Sequence, residues 1–201
     1  LRTDGFTVEN VSAVKNNRAG MQAYNATMGV FRDVEVVNNS DDIDGFYGLR
    51  VVDESADVLV ENATVTGTGN NGDGIKVNYQ VLSNVTIREV TVLDNDGAGL
   101  HISSSVVDIE NVTAHNNNWS FVMEDIYQAE GPAQVEGLDV GHSTAPNTTL
   151  SFDAWNVRVR GNSTPPSHPT EVGIGRYLEI QEIDTTGYLN ASIGWTVPDL
   201  S

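Results

Sequence analysis

The sequence predicts an all-β fold, a right-handed single-stranded parallel β-helix of about six to seven coils, followed by a short β segment of a second module. Three observations carry this expectation. A motif of the type Ile109-Glu-Asn-Val-Thr-Ala114 recurs along the chain, and taking Val11, Val34, Ala63, Val90, Val112, Leu138 and Val157 as equivalent gives spacings of 23, 29, 27, 22, 26 and 19 residues, the range of solenoid repeats. Each copy alternates apolar and polar residues with period two and is rich in Val, Ile and Thr, which describes half-buried strands. The position between the two strands of each copy reads Asn10, Asp33, Asn62, Glu89, Asn111, Gly137 and Asn156. Asn and Gly tolerate a left-handed backbone, so this column predicts a stacked bend, whose Asn side chains can bond up and down the stack.

Taken in order, residues 1–40 supply the first coil and a half, with turns at Asn16-Asn17 and Asn38-Asn39. A third strand per coil opens with Gly in Gly20-Met-Gln-Ala, Gly48-Leu-Arg-Val, Gly74-Ile-Lys-Val and Gly99-Leu-His-Ile, and without Gly in Ser120-Phe-Val-Met. Copies at Val135–Val140 and Ala154–Val159 extend the solenoid to residue 162. Residues 163–170, rich in Pro and Ser, read as a linker. Residues 171–201 then carry two alternating stretches around Asp184-Thr-Thr-Gly, expected to start a β-rich C-terminal module.

The run of Ile-Glu-Asn-Val-Thr, then Asn-Asn, then Gly-Ile/Leu-x-Val resembles the parallel β-helix (PbH1) repeats of pectin-lyase-like and NosD-like surface proteins, over roughly residues 5–162. That resemblance implies the fold; function does not follow, because such folds carry lyases, hydrolases, epimerases, adhesins and inert stalks. NosD-like proteins are associated with copper, but His101, His115, His142 and His168 fall at scattered phases and match no copper motif. The tail resembles the module that follows β-helices in haloarchaeal surface proteins, which implies surface attachment and neighbouring domains in a longer chain.

Twenty-eight acidic against ten basic residues give a net charge of −18, and Lys15 and Lys76 are the only lysines. Such a surface suits a halophile and disfavours nucleic acid or anionic lipid as partner; a calcium-loaded extracellular protein is the competing reading. Without cysteine there is neither a disulfide framework nor a thiolate metal site. Ten Asn-x-Ser/Thr sequons occur, against about three expected by chance, which supports an extracellular, cell-surface location. Asn25, Asn118, Asn147 and Asn162 fall in predicted loops and are the glycosylation candidates. No signal peptide or membrane-spanning run is present in the sequence.

Three groups of residues are candidates for function. Asp41, Asp42, Asp44, Asp73, Asp94 and Asp96 lie in turns that stacking would bring to one edge, an oxygen-rich environment suited to Ca²⁺, although Asp is also what turns ordinarily use. Trp119, Phe121 and Tyr127 near Glu124, Asp125 and Glu130 combine rings with acids as sugar sites do, or else pack in the core. The third group follows from strand phase: Gln22, Arg50, Lys76, His101 and Val122 should point outward in one column. Stacked like charges repel unless an anion lies across them, so Arg50, Lys76 and His101, with Asn78 and Tyr79 at the rim, are expected to hold an acidic glycan. Asp53, Glu54 and Asp125 are the neighbouring acids available to neutralise them. A spacer or carbohydrate-binding module is the leading reading, and a polysaccharide lyase or glycoside hydrolase is the alternative, with no catalytic residue assigned.

Overall fold

The computed structural model describes residues 3–39, 47–69, 71–78, 84–103, 107–124, 133–141, 148–162, 177–183 and 188–195. They form twenty strands, and no helix occurs among them. Five successive coils of three strands are β1 (Thr3–Glu9), β2 (Ser12–Val14) and β3 (Met21–Tyr24); β4 (Ala26–Arg32), β5 (Glu35–Val37) and β6 (Tyr47–Val52); β7 (Val58–Glu61), β8 (Thr64–Thr66) and β9 (Asp73–Val77); β10 (Val85–Arg88), β11 (Thr91–Leu93) and β12 (Ala98–Ile102); and β13 (Val107–Glu110), β14 (Thr113–His115) and β15 (Trp119–Met123). There follow β16 (Ala133–Gly141), β17 (Thr148–Trp155), β18 (Val157–Asn162), β19 (Tyr177–Glu182) and β20 (Tyr188–Trp195).

Equivalent strands of successive coils pair in parallel and build three rows. The first runs β1-β4-β7-β10-β13-β16 and the second β2-β5-β8-β11-β14-β16, the two being joined because β16 serves both; the third runs β3-β6-β9-β12-β15-β18-β19. Four full turns carry the chain from β1 to β13, and β16 opens one more. Then the direction changes. β17 pairs antiparallel with β16, and β18 antiparallel with β15. The copy at Ala154–Val159, expected to be a further coil, therefore runs in reverse, and the coil count falls short of six to seven. Alternation and a bend at Asn156 look the same whichever way a strand runs, so the pattern carries no sign of direction. β19 and β20 pair with β18 and β17, not with each other.

Inside the solenoid the register stacks like on like. Phe31, Val60, Ile87, Ile109 and Val135 form one column, and Leu49, Ile75, Leu100 and Phe121 another, all essentially inaccessible to solvent. Each such side chain contributes about 1.5–3 kcal/mol on burial. Phe121 is one of these core residues and meets Phe152 edge to face at 5.3 Å, so it is not part of a sugar site.

The bends that close each coil are left-handed. Asn10, Asp33, Asn62, Glu89, Asn111, Gly137 and Asn156 all have φ between 47° and 70°. A second column, Lys15, Asn38, Gly67, Asp94 and Asn116, has φ of 49–65° at the corner after the second strand. In the first column Asn62 Nδ2 donates to Asp33 Oδ1. The more extensive ladder belongs to the second corner. Asn16 Nδ2 donates to Asn39 Oδ1 at 2.8 Å, and Asn39 Nδ2 donates to the carbonyl of Ala13 at 3.0 Å. Two coils on, Asn95 Oδ1 accepts from the Thr68 amide at 2.9 Å while its Nδ2 donates to Leu93 O and Asn117 Oδ1. Asn39 and Asn95 are buried, and an unpaired amide there would be costly.

The glycines that open the third-row strands have a steric reason. A Cβ on Gly48 would lie 2.7 Å from the carbonyl oxygen of Gly74, one on Gly74 2.8 Å from that of Gly99, and one on Gly99 3.0 Å from that of Ser120. The stack can close at this corner only if the column stays bare, and that closure sets the height of the third-row strands.

The two ladders should respond differently to substitution. Asn62→Leu is expected to destabilise by roughly 1–3 kcal/mol through left-handed strain while Asn62→Gly is mild, whereas Asn95→Gly should cost as much as Asn95→Leu because each leaves buried partners unpaired. Urea denaturation of the four variants checks this; equal losses for the two Asn62 variants would contradict the bend.

Candidate functional site

Outward-facing positions also stack, and two of the columns differ in charge. On the first row the register aligns Glu9, Arg32, Glu61, Arg88, Glu110 and Glu136. Arg32 Nε and Arg88 Nε each lie 2.7 Å from the Glu61 carboxylate, and the hydrogen bond from Arg32, then that from Arg88, holds Glu61 below the usual carboxylate range. On the third row the column reads Gln22, Arg50, Lys76, His101, Val122, Arg158 and Gln181. It contains no acid, in a chain where acids outnumber bases 28 to 10.

Neutralising acids approach this column from beside it. Asp73, at the start of β9, places Oδ2 2.7 Å from His101 Nδ1 and 3.6 Å from Lys76 Nζ, while its Oδ1 accepts from the Ala98 amide at 2.8 Å. Glu124, just after β15, has Oε2 3.2 Å from His101 Nε2. His101 is thus bracketed by two carboxylates, with both ring nitrogens donating. Lys76 Nζ lies only 3.1 Å from Nδ1, but the shorter contact to Asp73 takes the Nδ1 proton, leaving Lys76 beside the ring as a like charge. The side chains of Asp73, Lys76 and His101 are each only 12–13% exposed.

Burial and pairing oppose each other here. Burial would lower the pKa of His101, but the hydrogen bonds to Asp73 and Glu124 outweigh it and raise the group above its ordinary value. Burial would raise Asp73, yet His101 and the Ala98 amide bring it below the carboxylate range. Glu124 is lowered chiefly by its hydrogen bond to His101. Lys76 is lowered, because burial exceeds the attraction of Asp73 and Glu124.

At one end of the column Arg50 stacks on the Tyr47 ring, its Cζ 5.1 Å from the centroid, and Lys76 Nζ lies at the same distance from that ring. Arg50 Nε is buried with no hydrogen-bond partner among the described residues. At the other end Arg158 and Arg160 each place Cζ 4.4 Å from the Trp119 ring. Arg160 pairs with Glu179 at 2.8 Å, and Arg158 Nε donates to the amide oxygen of Gln181 at 2.9 Å.

Arg50, Lys76 and His101 therefore come together as adjacent groups. Asn78, expected at the rim, is 8% exposed and its backbone N–H donates to Val51 O; Tyr79 lies outside the described residues. Val122 is buried. Asp53 and Glu54 sit at the corner after β6 with φ of 43° and 42°, and the acids that do reach the stripe are Asp73 and Glu124; Asp125 lies outside the described residues.

The acidic-turn set is dispersed. Asp73 is committed to His101, Lys76 and the Ala98 amide; Asp94 accepts from Asn116 at 3.1 Å and Asp96 is solvent-exposed. Asp41, Asp42 and Asp44 lie outside the described residues, and among the described ones no group of three or more His, Asp or Glu is arranged to hold a metal. Of the sequons, Asn118 is exposed between β14 and β15, Asn25 is half-buried at the β3–β4 corner with φ 48°, Asn162 ends β18, and Asn147 lies outside the described residues. Tyr47, Arg158 and Arg160 were not singled out from sequence; two arginines at i and i+2 of a strand in a base-poor chain were the available signal.

A family model described as a right-handed beta helix region matches residues 1–151. The chain belongs to that family. No curated protein and no solved structure matches it.

In this right-handed β-helix the Asp73–Glu124 pair is unsuited to glycoside hydrolysis. The His101 ring occupies the space between the two carboxyls, and both are held ionised, whereas hydrolysis needs one protonated acid and room between them for the scissile bond. The network instead predicts a pH profile. A raised His101 contributes stability that is complete below its ordinary value of 6.5 and lost as pH rises through the folded value. Lowered Asp73 and Glu124 contribute stability present above their ordinary values of 3.8 and 4.5 and lost as pH falls through the folded ones. A lowered Lys76 works in the opposite sense, its loss of a proton relieving a buried charge as pH rises through the folded value toward the ordinary 10.5. Unfolding free energy of the native chain should therefore decline as pH rises past 6.5 and through the folded His101 value, and His101→Gln should flatten that decline; parallel slopes in the two proteins would contradict it.

Proposed function

We propose that this β-helix domain is a rigid surface module whose third-row outer face binds an acidic glycan, the anionic group of the glycan entering beside Arg50. One observation carries the reading: Arg50 is stacked on Tyr47, next to Lys76, with a buried Nε that has no partner among the described residues. The buried Nε is out of reach of an outside anion, so a carboxylate or sulfate would meet the terminal nitrogens of this guanidinium, for which no described carboxylate provides a partner. Lys76 and His101 already have carboxylate partners, so they set the local potential while Arg50 makes the contact. The net charge of −18, the two lysines and the ten sequons support an exported, glycosylated protein of a halophile on which this face is displayed.

A polysaccharide lyase is the second reading: Lys76 lies over the Tyr47 ring next to Arg50 in the column, burial lowers its pKa, and its deprotonated form would be placed to take a proton from a uronate whose carboxylate Arg50 holds. Elimination would give an unsaturated, ultraviolet-absorbing product; its absence with oligouronates at molar salt returns the function to binding alone.

Arg50→Ser should weaken binding of an oligouronate by about tenfold or more and lower the melting temperature only slightly, because what it removes inside the protein is the contact with the Tyr47 ring and no hydrogen bond of Nε among the described residues. Calorimetric titration of the two proteins tests this, and unaltered affinity would remove Arg50 from the site.

A further inference from the structure

The third-row column has two ends of the same construction. At one end Arg50 is stacked on Tyr47; four strands further along the same column Arg158 is stacked on Trp119. No carboxylate among the described residues pairs with either guanidinium: Arg50 Nε has no partner, and Arg158 Nε bonds to the neutral Gln181. Between them Lys76 and His101 are matched by Asp73 and Glu124. Beside Arg158, Arg160 is matched by Glu179. Elsewhere on the surface Arg32 and Arg88 share Glu61. This face thus leaves open one guanidinium at each end and closes the charges between them.

We propose that Trp119, Arg158 and Arg160 form a second anion-binding locus, and that with Arg50 it makes a two-point grip on one acidic polysaccharide chain lying along the solenoid axis. The inference rests on the reading of Arg50 given above. Four strand spacings of about 4.8 Å separate the two points by about 19 Å, so a single sugar cannot reach both and the ligand must be an oligomer with repeated carboxylates or sulfates. A guanidinium held over an indole ring is positioned by that contact while N–H groups not used within the protein stay available to an anion. Arg160, tied to Glu179 and reaching the Asn118 carbonyl at 3.4 Å, fixes the indole from a second position and leaves Arg158 to make the contact. A single nucleic-acid strand is the other anionic oligomer of this reach, and a DNA oligomer is therefore titrated beside the glycans.

The test compares a uronate disaccharide with a hexasaccharide, each titrated into the native chain and into Arg50→Ser, Arg158→Ser and Arg158→Lys. The two-point grip gives the native chain about tenfold higher affinity for the hexasaccharide. Arg158→Ser should bring the hexasaccharide down to the disaccharide value without changing the disaccharide, and Arg158→Lys should recover part of the loss. Arg50→Ser should weaken both ligands. A sulfated hexasaccharide run in parallel identifies which anionic group is preferred. In a Trp155→Phe/Trp195→Phe background, hexasaccharide but not disaccharide should alter Trp119 emission. Unchanged hexasaccharide affinity in Arg158→Ser, with Arg50→Ser weakened, overturns the second locus and leaves the first. Loss in Arg158→Ser with Arg50→Ser unaffected overturns the Arg50 reading and the two-point arrangement together. Binding of a single-stranded DNA oligomer as tight as that of the hexasaccharide overturns the glycan assignment.

Discussion

Everything on the outer face depends on the chain returning to the same height after each coil. That return is enforced at corners where the backbone is left-handed, a conformation costing a residue with a Cβ about 1–2 kcal/mol and tolerated even at Glu89 and Lys15. Buried Asn39, Thr68 and Asn95 hold the second corner from within, and the bare Gly48, Gly74 and Gly99 column lets the third corner close. With register fixed at the corners, residue identity at one outward position becomes a property of the whole column, and a column of charge becomes a feature that selection can build one coil at a time.

The two charged columns show the two uses of that property. Alternation of sign from Glu9 to Glu110 on the first row ties Arg32, Glu61 and Arg88 together and leaves both arginines matched. The third row has no acid in the column itself. Its acids, Asp73 and Glu124, come from a strand start and a strand end, reach only the central Lys76 and His101, and are held there by desolvated ion pairs that would be destabilising if broken on one side. An arrangement of this kind is better suited to fixing where charge remains open than to adding stability, since exchanging water for buried ion pairs gains little.

The fold was legible because a solenoid writes its period into the sequence: the Val, Ile and Asn positions repeat, and all seven bend residues read from that repeat have positive φ. The second bend column was harder to see, since Lys15, Asn38, Gly67, Asp94 and Asn116 span four residue types, and the Asn ladder there depends on which side of a turn faces inward. Chain direction was invisible, so Ala154–Val159 read as one more coil. The basic stripe was legible for Arg50, Lys76 and His101 because their offset from Gly is constant. Asp73 looked like one more turn acid, as Asp is common in turns, and its bond to His101 on the next coil is a contact across 28 residues that no local pattern encodes. Arg158 escaped for the same reason as the coil count: it reaches the column on a strand running the other way.

The central claim is that the middle of the third-row column is neutralised internally, leaving the terminal guanidiniums as the open charges. Nitrogen-15 NMR of the His101 imidazole across pH tests it most directly. The account predicts that both ring nitrogens stay protonated past the ordinary value of 6.5 and that Glu124→Gln moves the transition downward. Titration of His101 at or below that value, unmoved by Glu124→Gln, would contradict it.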